Sequence, residues 1–290
     1  MNNVALVDGD MLLYLAGFSA QRKVYTLRAK HINGYVYEES FYSKSEAMTA
    51  KEQEIEAFGE DKVTATISES TEVFPLDVAT HVIEDVLTTT ARNTACSDLV
   101  VFLSGPNELC FRSSVSTIRP YKGHRESAER PVHYHALKAY LLTKHNANMC
   151  YWHEADDALA MMANGNIICT ADKDLLQVPG VHYNFFTHEG REISHLEGEY
   201  NLFHQILTGD PVDNIQGLRG IGEKRAADAL ENAKDDPRAM YAVCLDMYME
   251  RWPEDHPLSG EEAFQETAEL VYLLREYGDS WSSRQRQYYL

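Results

Sequence analysis

Long apolar runs are absent from this sequence, and none approaches the roughly 18 residues that a membrane-spanning helix needs. The first residues also lack the basic and then apolar pattern of a secretory signal peptide. Cysteine is scarce, with five in 290 residues, and no two cysteines form a Cys-x-x-Cys pair. These absences predict a soluble chain with buried, reduced thiols in a cytoplasmic compartment.

Positive charge is also in short supply, because 26 Lys and Arg residues face 45 Asp and Glu residues and leave a formal net charge of −19. Such a total is unusual for a protein that binds another polyanion, although a local basic patch would still permit it. The apolar fraction of 44% is ordinary for a globular chain, and 290 residues suffice for one large domain or two small ones.

The acidic residues concentrate between residues 152 and 177, where five of them are Glu154, Asp156, Asp157, Asp172 and Asp174. The first three open a short helix, and the last two follow an apolar run that predicts a buried strand. Carboxylates at the carboxyl edge of such a strand lie where open α/β sheets place their sites. Oxygen-rich clusters suit Mg²⁺ or Mn²⁺ rather than zinc. The alternative is an acid-rich helix N-terminus, favoured by the helix dipole, followed by a solvated turn.

A similar pattern occurs at the start of the chain. The apolar run 4–7 ends in Asp8-Gly9-Asp10, and a helix is expected from there to residue 16. A strand of this kind is expected at the centre of a parallel sheet, with Asp8 at the same edge as the later acids. Since Asp-Gly is also a common turn signal, an ordinary turn is the alternative.

Residues 22–73 are interpreted as an insertion that begins with a β-hairpin. Two alternating segments flank Asn33-Gly34, a strong hairpin signal, and a charged, helix-prone stretch follows. Downstream, the apolar spacing predicts helices near 76–91, 132–142 and 264–277, and strands at 99–103 and 181–186.

The segment 111–130 is basic within this acidic protein, since it holds Arg112, Arg119, Lys122, Arg125 and Arg130. Clustered Arg and Lys beside Tyr121 suit contacts to phosphates and stacking on an unpaired base. A solvated loop is the alternative.

A glycine-rich turn runs from Gly217 through Gly220 to Gly222. Its backbone N–H groups are expected to cradle a phosphate without reading sequence. The residues that would add positive charge there are Arg219, Lys224 and Arg225.

Four separated motifs together resemble the flap endonuclease-like 5′-nuclease family, in the family's order and spacing and over essentially the whole chain. They are Val7-Asp8-Gly9-Asp10, Tyr121-Lys122-Gly123-His124-Arg125, Glu154-Ala155-Asp156-Asp157 with Asp172-Lys173-Asp174-Leu175, and Gly209-Asp210-Pro211-Val212-Asp213-Asn214 running into the glycine turn. The size, with no polymerase attached, is similar to the phage-encoded 5′→3′ exonuclease branch.

The resemblance implies a PIN-like α/β fold, in which helices flank a mainly parallel sheet. A helix-hairpin-helix DNA-binding region and the β-hairpin insertion are further parts of this fold. The resemblance divides the chain into a nuclease core over 1–205, with a short arch near 119–135, and a helical region over 206–290. The implied activity is hydrolysis of DNA from a 5′ end or flap, in the cytoplasm of a host cell. RNA–DNA hybrids and replication proteins are further implied partners.

The resemblance also implies two Mg²⁺ ions, for which Mn²⁺ could substitute. The implied ligands are Asp8, Glu154 and Asp156 for the first ion and Asp172, Asp174 and Asp213 for the second, with Asp157 and Asp210 as outer or water-mediated ligands. Lys122 and Arg125 would contact the scissile phosphate, and Tyr121 would stack on the terminal base. The implied contacts to the DNA backbone are Arg119, Gly217, Arg219, Gly220, Gly222, Lys224 and Arg225, and the glycine turn would hold K⁺.

One position departs from the family pattern. Where the family carries an aspartate after its second strand, this chain reads Ser104-Gly105, so Glu108 or a water would have to take that place; Asp10 is treated only as a supporting acid. Two rival functions follow from the remaining patterns. A haloacid dehalogenase-like phosphatase would use Asp8 as a nucleophile but leaves the other three motifs unexplained. A module that binds branched DNA without cutting it would explain the missing aspartate.

Overall fold

The computed structural model describes residues 3–124 and 129–289, and the chain forms two compact units. The first unit comprises Met1–Leu12, Asp85–Glu129 and Ala139–Leu290, and the second comprises Leu13–Glu84 and Arg130–Lys138. All the predicted site residues belong to the first unit, although Arg125 lies outside the described residues.

A six-stranded sheet forms the centre of the first unit. Its strands are β1 (Ala5–Asp8), β5 (Leu99–Ser104), β6 (Asn148–Cys150), β7 (Ile167–Cys169), β8 (Gly180–Asn184) and β9 (Glu189–Ile193), and their spatial order is β6-β5-β1-β7-β8-β9. All neighbouring pairs are parallel except β8 with β9. Strand β1 lies between two partners and is buried along its whole length, which explains its continuous apolar run. The predicted central strand and mainly parallel sheet are confirmed.

This topology brings polar residues to one edge of the sheet. Asp8 ends β1, Ser104 ends the neighbouring strand β5, and Asp172 follows the end of β7 on the other side. Parallel strands end at the same edge, so these three positions meet although they are far apart in sequence.

Helices and a short hairpin complete the first unit. They are α4 (Phe111–Val115), α6 (Ala155–Met161), α7 (His195–Thr208), the pair β10 (Gly209–Asp210) and β11 (Ile215–Gln216), α8 (Glu223–Leu230), α9 (Pro237–Arg251), α10 (Gly260–Val271), α11 (Trp281–Arg284) and α12 (Arg286–Tyr289). Three further helices have residues in both units: α1 (Gly9–Ser19), α3 (Leu76–Thr94) and α5 (Tyr134–Lys144). The predicted boundary after residue 205 falls within α7, and the compact units divide the chain elsewhere.

The C-terminal helices differ from the single helix that the sequence predicts at 264–277. Helix α10 begins earlier, because Ser259 and Glu262 cap its first turn reciprocally, and it ends at Val271. Helix α9 was not predicted, since its apolar residues are spread around the helix rather than along one stripe. These helices bury an aromatic-rich core around Tyr241, Phe264 and Trp281.

The second unit contains a three-stranded antiparallel sheet, in the order β3 (Val36–Phe41), β2 (Gln21–His31) and β4 (Val63–Val73), with helix α2 (Lys44–Phe58) beside it. The predicted hairpin is present, and Gly34 adopts the positive φ of 87° that its turn requires. No helix in the described part of the chain has the length and apolar character needed to span a bilayer.

Candidate active site

Thr170 joins Asp8 to Asp172 at the edge of the sheet. Its hydroxyl donates to Asp8 Oδ2 at 2.7 Å and accepts a hydrogen bond from the Asp172 N–H at 2.9 Å. Asp8 Oδ1 accepts from the Met11 N–H at 3.0 Å, so both oxygens of this buried carboxylate are held in place. Asp172 Oδ1 accepts from the Asp174 N–H at 2.9 Å, which brings the second acid of that motif to the same edge.

Asp10 reaches the end of β5, where the resemblance calls for a carboxylate that the strand itself lacks. Its Oδ2 accepts a hydrogen bond from the Ser104 N–H at 2.9 Å. The Ser104 hydroxyl accepts from the Ala155 N–H at 2.9 Å and thereby fastens the start of α6. Glu108, the alternative named from the sequence, is exposed. From the sequence, Asp10 counts only as a supporting acid, because the family that the chain resembles is more variable at this position.

The acids are crowded enough to change their pKa values. Burial, followed by the charges of Asp10 and Asp172, raises the pKa of Asp8 to about 7. Burial and the neighbouring Asp172 raise the pKa of Asp174 to about 8. Burial together with Asp8 and Asp172 also raises the pKa of Asp156 well above its usual range. These side chains therefore form one electrostatic cluster that favours the arrival of positive charge.

Lys122 extends into this cluster. Its ammonium group pairs with Glu154 and lies 3.5 Å from Asp213 Oδ2. Burial alone would raise the pKa of Glu154, but Lys122 and Arg112 outweigh burial and lower that pKa. The backbone of Lys122 has a φ of 54°, and its N–H donates to the Asp213 carbonyl at 2.9 Å. A strained turn thus directs the lysine towards the carboxylates.

The predicted stacking of Tyr121 on a terminal base is wrong, because this side chain is only 5% exposed. Its hydroxyl lies between two carboxylates, within hydrogen-bonding distance of Glu154 and 2.9 Å from Asp213 Oδ2. Asn214 donates to the Pro120 carbonyl at 2.9 Å and ties the two loops together. Tyr121 therefore orients acids of the site.

Asp210 ends strand β10 and Asp213 lies in the loop that connects it to β11, and the two acids have different surroundings. Asp210 is buried, and its Oδ1 accepts from the Val212 N–H at 2.8 Å. Its charge contributes to the raised pKa of Asp174. Asp213 faces Tyr121 and Lys122 instead.

The assignment of Asp157 as a metal ligand is corrected by the structure. Arg112 donates to both of its oxygens, at 2.6 and 2.8 Å, and the backbone N–H groups of Glu154 and Leu274 donate at 3.0 Å each. Burial opposes ionisation of Asp157, but the Arg112 pair outweighs it and lowers the pKa. Four donors saturate a fully buried carboxylate, so no lone pair remains for an ion or its water. Arg112 is equally buried and so does not join the predicted basic patch.

Within residues 3–124 and 129–289, no three His, Cys, Asp or Glu side chains are arranged so that they could hold a metal ion as they stand. Glu154 is instead paired with Lys122, and Asp8 with Thr170. The donor set nevertheless fits a hard divalent cation, because it consists of carboxylate oxygens whose mutual repulsion a cation would relieve. Side-chain reorientation would be required for binding.

The glycine-rich turn lies immediately before α8. Leu218 and Ile221 anchor it in the core, while Arg219 and Lys224 are exposed. Gly220 has a φ of 77°, and its carbonyl accepts a hydrogen bond from Arg225 at 2.7 Å. All three cations of this turn are exposed, and Arg225 is also hydrogen-bonded to the turn itself. Gly217 packs against the backbone of residues 207–209, and Gly222 caps the helix. Arg119 is exposed on the loop before Lys122.

No protein-family model matches the chain. Among curated proteins, it is 33% identical over 99 residues to a 5′-3′ exonuclease of Mycoplasmopsis pulmonis, which corresponds to 28% of this chain and 33% of that protein. It is 38% identical over 94 residues to the thermostable DNA polymerase I of Thermus aquaticus, or 27% of this chain and 11% of that protein. The chain thus spans a third or less of the length of these relatives.

Among solved structures, the chain is similar to the T5 D15 protein co-crystallized with metal ions. The match has a TM-score of 0.52 at 17% sequence identity and covers 93% of this chain and 89% of that chain. The predicted fold class is therefore confirmed. The sequence relatives, which include a 5′-3′ exonuclease, agree with the predicted resemblance to the 5′-nucleases.

Proposed function

We propose, from this resemblance to the flap endonuclease-like 5′-nucleases, that the chain is a divalent-metal-dependent 5′→3′ nuclease. Its substrate would be duplex DNA with a 5′ end or flap, and RNA–DNA hybrids are included in the proposal. The observation that supports this function best is the crowded carboxylate cluster with Lys122 reaching into it. This combination suits a phosphodiester hydrolase, since the metal ions held by the acids and the ammonium group of Lys122 would both face the phosphate.

The ions are proposed to bind in two groups of acids. Asp8, Glu154 and Asp156 would hold the first Mg²⁺, with Asp10 supplying charge at the end of β5, and Asp172, Asp174 and Asp213 would hold the second. When bound, two such ions lower the pKa of a water molecule and stabilise the leaving oxygen of an in-line displacement. Mn²⁺ has similar ligand preferences and is expected to substitute.

The protein's own side chains would position the substrate and the acids. Lys122 would exchange its contact with Glu154 for an oxygen of the scissile phosphate and neutralise charge that develops there. Tyr121 would keep Glu154 and Asp213 oriented during this exchange, and Thr170 would do the same for Asp8. Arg125 remains a proposed second phosphate contact.

The glycine turn would bind the DNA backbone at a point distant from the active site. Arg219 and Lys224 are exposed beside it, and phosphate contacts of this type position a duplex without reading its sequence. A K⁺ ion at the turn and contacts with replication proteins also remain part of the proposal.

Lys224→Ala is expected to weaken duplex binding about equally for unrelated DNA sequences. Because one phosphate contact is lost, the slope of log affinity against log salt should become shallower by about 1. Fluorescence anisotropy with Ca²⁺ in place of Mg²⁺ measures binding without cleavage. Lys144→Ala, which removes an exposed lysine from the end of α5, is the matched control. If both variants show the same slope as the wild type, the turn does not contact DNA.

Divalent ions should stabilise the protein more at alkaline than at acidic pH. The pKa values of Asp8 and Asp174, about 7 and about 8, exceed the value of 3.8 expected for an unfolded aspartate. The folded state without metal therefore keeps protons that the unfolded chain loses, and its stability declines as the pH rises from about 4 to about 8. An ion needs ionised ligands and reverses that loss. Thermal unfolding with MnCl₂ and with EDTA, at about pH 5.5 and pH 8.5, tests this expectation. An equal increase in Tm at both pH values would contradict it.

The phosphatase alternative is disfavoured by the surroundings of Asp8. Its Oδ1 accepts a hydrogen bond from the Met11 N–H and its Oδ2 from the Thr170 hydroxyl, so both oxygens are already engaged with the protein. The non-cleaving alternative rests on the aspartate that is missing from the end of β5. Asp10 places a carboxylate at that strand end, which removes the main support for this alternative.

A cleavage assay with several substrates tests the proposed function. Duplex, 5′-flap and RNA–DNA hybrid molecules, each labelled at the 5′ end, would be incubated with Mg²⁺ or with EDTA. Release of mononucleotides or short 5′ fragments only with Mg²⁺ supports the proposal and ranks the substrates. Tight binding to the same molecules without cleavage would favour a binding module.

A further inference from the structure

Arg112 is a buried arginine whose hydrogen bonds join two distant parts of the first unit. Its Nη1 and Nη2 donate to the two oxygens of Asp157 at 2.6 and 2.8 Å. Its Nε donates to the Leu270 carbonyl and Nη2 also donates to the Tyr272 carbonyl, each at 2.8 Å. The bidentate pair fixes the planes of both groups, so Arg112 links the first turn of α6 to the end of α10.

Asp157 continues this link to the backbone of the proposed metal ligand Glu154. Asp157 Oδ2 accepts from the Glu154 N–H and Asp157 Oδ1 from the Leu274 N–H, both at 3.0 Å. Glu154 is the N-cap residue of α6. The position of Glu154 therefore depends on the Asp157 carboxylate, which Arg112 in turn fixes in place.

The segment after α10 also holds the second acidic motif. Gln177, at the end of the short helical turn that begins at Asp174, donates to the Val271 carbonyl at 2.9 Å and accepts from the Leu273 N–H at 3.0 Å. Arg275 donates to the Gln177 carbonyl at 2.8 Å. One stretch, residues 270–275, is thus bonded to both of the motifs that carry the acids.

We infer that Arg112 and Asp157 are a pair of positioning residues, which fix Glu154 relative to Asp172 and Asp174 through residues 270–275. This inference rests on the proposed function. Neither side chain is exposed, so neither touches substrate. Two apolar side chains of similar volume could fill the same space at a lower desolvation cost. They could not replace the directional hydrogen bonds of the Arg112–Asp157 pair.

The test compares Arg112→Lys, which retains the charge but loses the bidentate geometry, with Asp157→Asn. Both variants should lower kcat by about tenfold or more with KM within about twofold, since supporting residues typically cost that much. The double variant should be no slower than the slower single variant, because the two residues act as a unit. Arg284→Lys is the matched control; it alters another ion pair of this unit, with Glu199, and should leave kcat unchanged.

Rates are measured at a temperature where circular dichroism shows each variant fully folded. If the single variants do not fold, Arg112→Met combined with Asp157→Leu replaces the pair by apolar groups and should fold with kcat still reduced. A wild-type kcat in that folded variant, or in both single variants, overturns the inference. So does a more than tenfold loss of Mn²⁺ affinity, by calorimetry, in Asp157→Asn but not in Arg112→Lys, because Asp157 would then be a ligand.

Hydrogen exchange separates failure of this inference from failure of the proposed function. The Glu154 amide, which donates to Asp157, should exchange faster in Arg112→Lys and in Asp157→Asn than in the wild type. If the wild type cuts no substrate but the exchange increases, the proposed function fails and the positioning role stands. An unchanged exchange rate in both variants overturns the positioning role.

Discussion

Asp156→Asn is expected to lower the rate of cleavage by at least about 1000-fold while the protein remains folded. The substitution removes a charge from the first proposed metal group, and an ion at such a site contributes several kcal/mol of transition-state stabilisation. The same change should raise the Tm of the metal-free protein near pH 8. Burial disfavours the Asp156 charge, and the charges of Asp8 and Asp172 repel it further. Single-turnover cleavage of a 5′-labelled duplex and thermal unfolding in EDTA measure the two effects.

The opposite signs of these effects make the prediction specific. An inactive variant that is also less stable would indicate that Asp156 serves the fold. Asp246→Asn, which neutralises an exposed aspartate on α9, is the matched control and should change neither the rate nor the Tm. Cleavage by Asp156→Asn within about threefold of the wild type would contradict the assignment of the acidic cluster.

Lys122→Ala is expected to reduce turnover by about 100-fold or more, with DNA affinity within about threefold of the wild-type value. A single donor directed at developing charge in a partly desolvated site contributes an effect of that size. Affinity should change little, because most of the binding would come from backbone contacts elsewhere on the protein. Single-turnover rates with Mg²⁺ and anisotropy titrations with Ca²⁺ separate the two quantities.

The loss should be specific to the ammonium group that reaches the acids. Lys144→Ala removes one positive charge from an exposed position and should leave both quantities unchanged. Parallel losses of turnover and affinity in Lys122→Ala would show that this lysine only tethers DNA.

The sequence predicts those parts of the site in which strand ends and acids are neighbours along the chain. The apolar run before Asp8 marks a buried strand, and Asp172 and Asp174 directly follow another. Since parallel strands end at one edge, the convergence of these acids follows from topology alone. Lys122 was also identified, because its motif is distinctive in a chain with few positive charges.

The remaining features depend on contacts between distant segments. Arg112 lies in the basic segment, but its carboxylate partner is 45 positions away and one of its carbonyl partners 158 positions away. Its burial could therefore not be read locally. The resemblance implies an outer or water-mediated ligand role for Asp157, and the local motif does not show the arginine that occupies its carboxylate. Tyr121 was expected to be exposed for base stacking, since nothing nearby in sequence indicates that Glu154 and Asp213 surround its hydroxyl. The contact between Asp10 and the Ser104 N–H depends on the geometry of the first turn of α1.

The central claim is that the acidic cluster cuts DNA from the 5′ end. The most direct test uses one duplex strand labelled at either its 5′ or its 3′ end, digested with Mg²⁺ by the wild type and by Asp156→Asn. Wild-type protein is expected to release the 5′ label first, as mononucleotide or short fragments, while the 3′-labelled strand shortens gradually and Asp156→Asn releases neither label. Early release of the 3′ label, or equal digestion by the variant, would contradict the central claim.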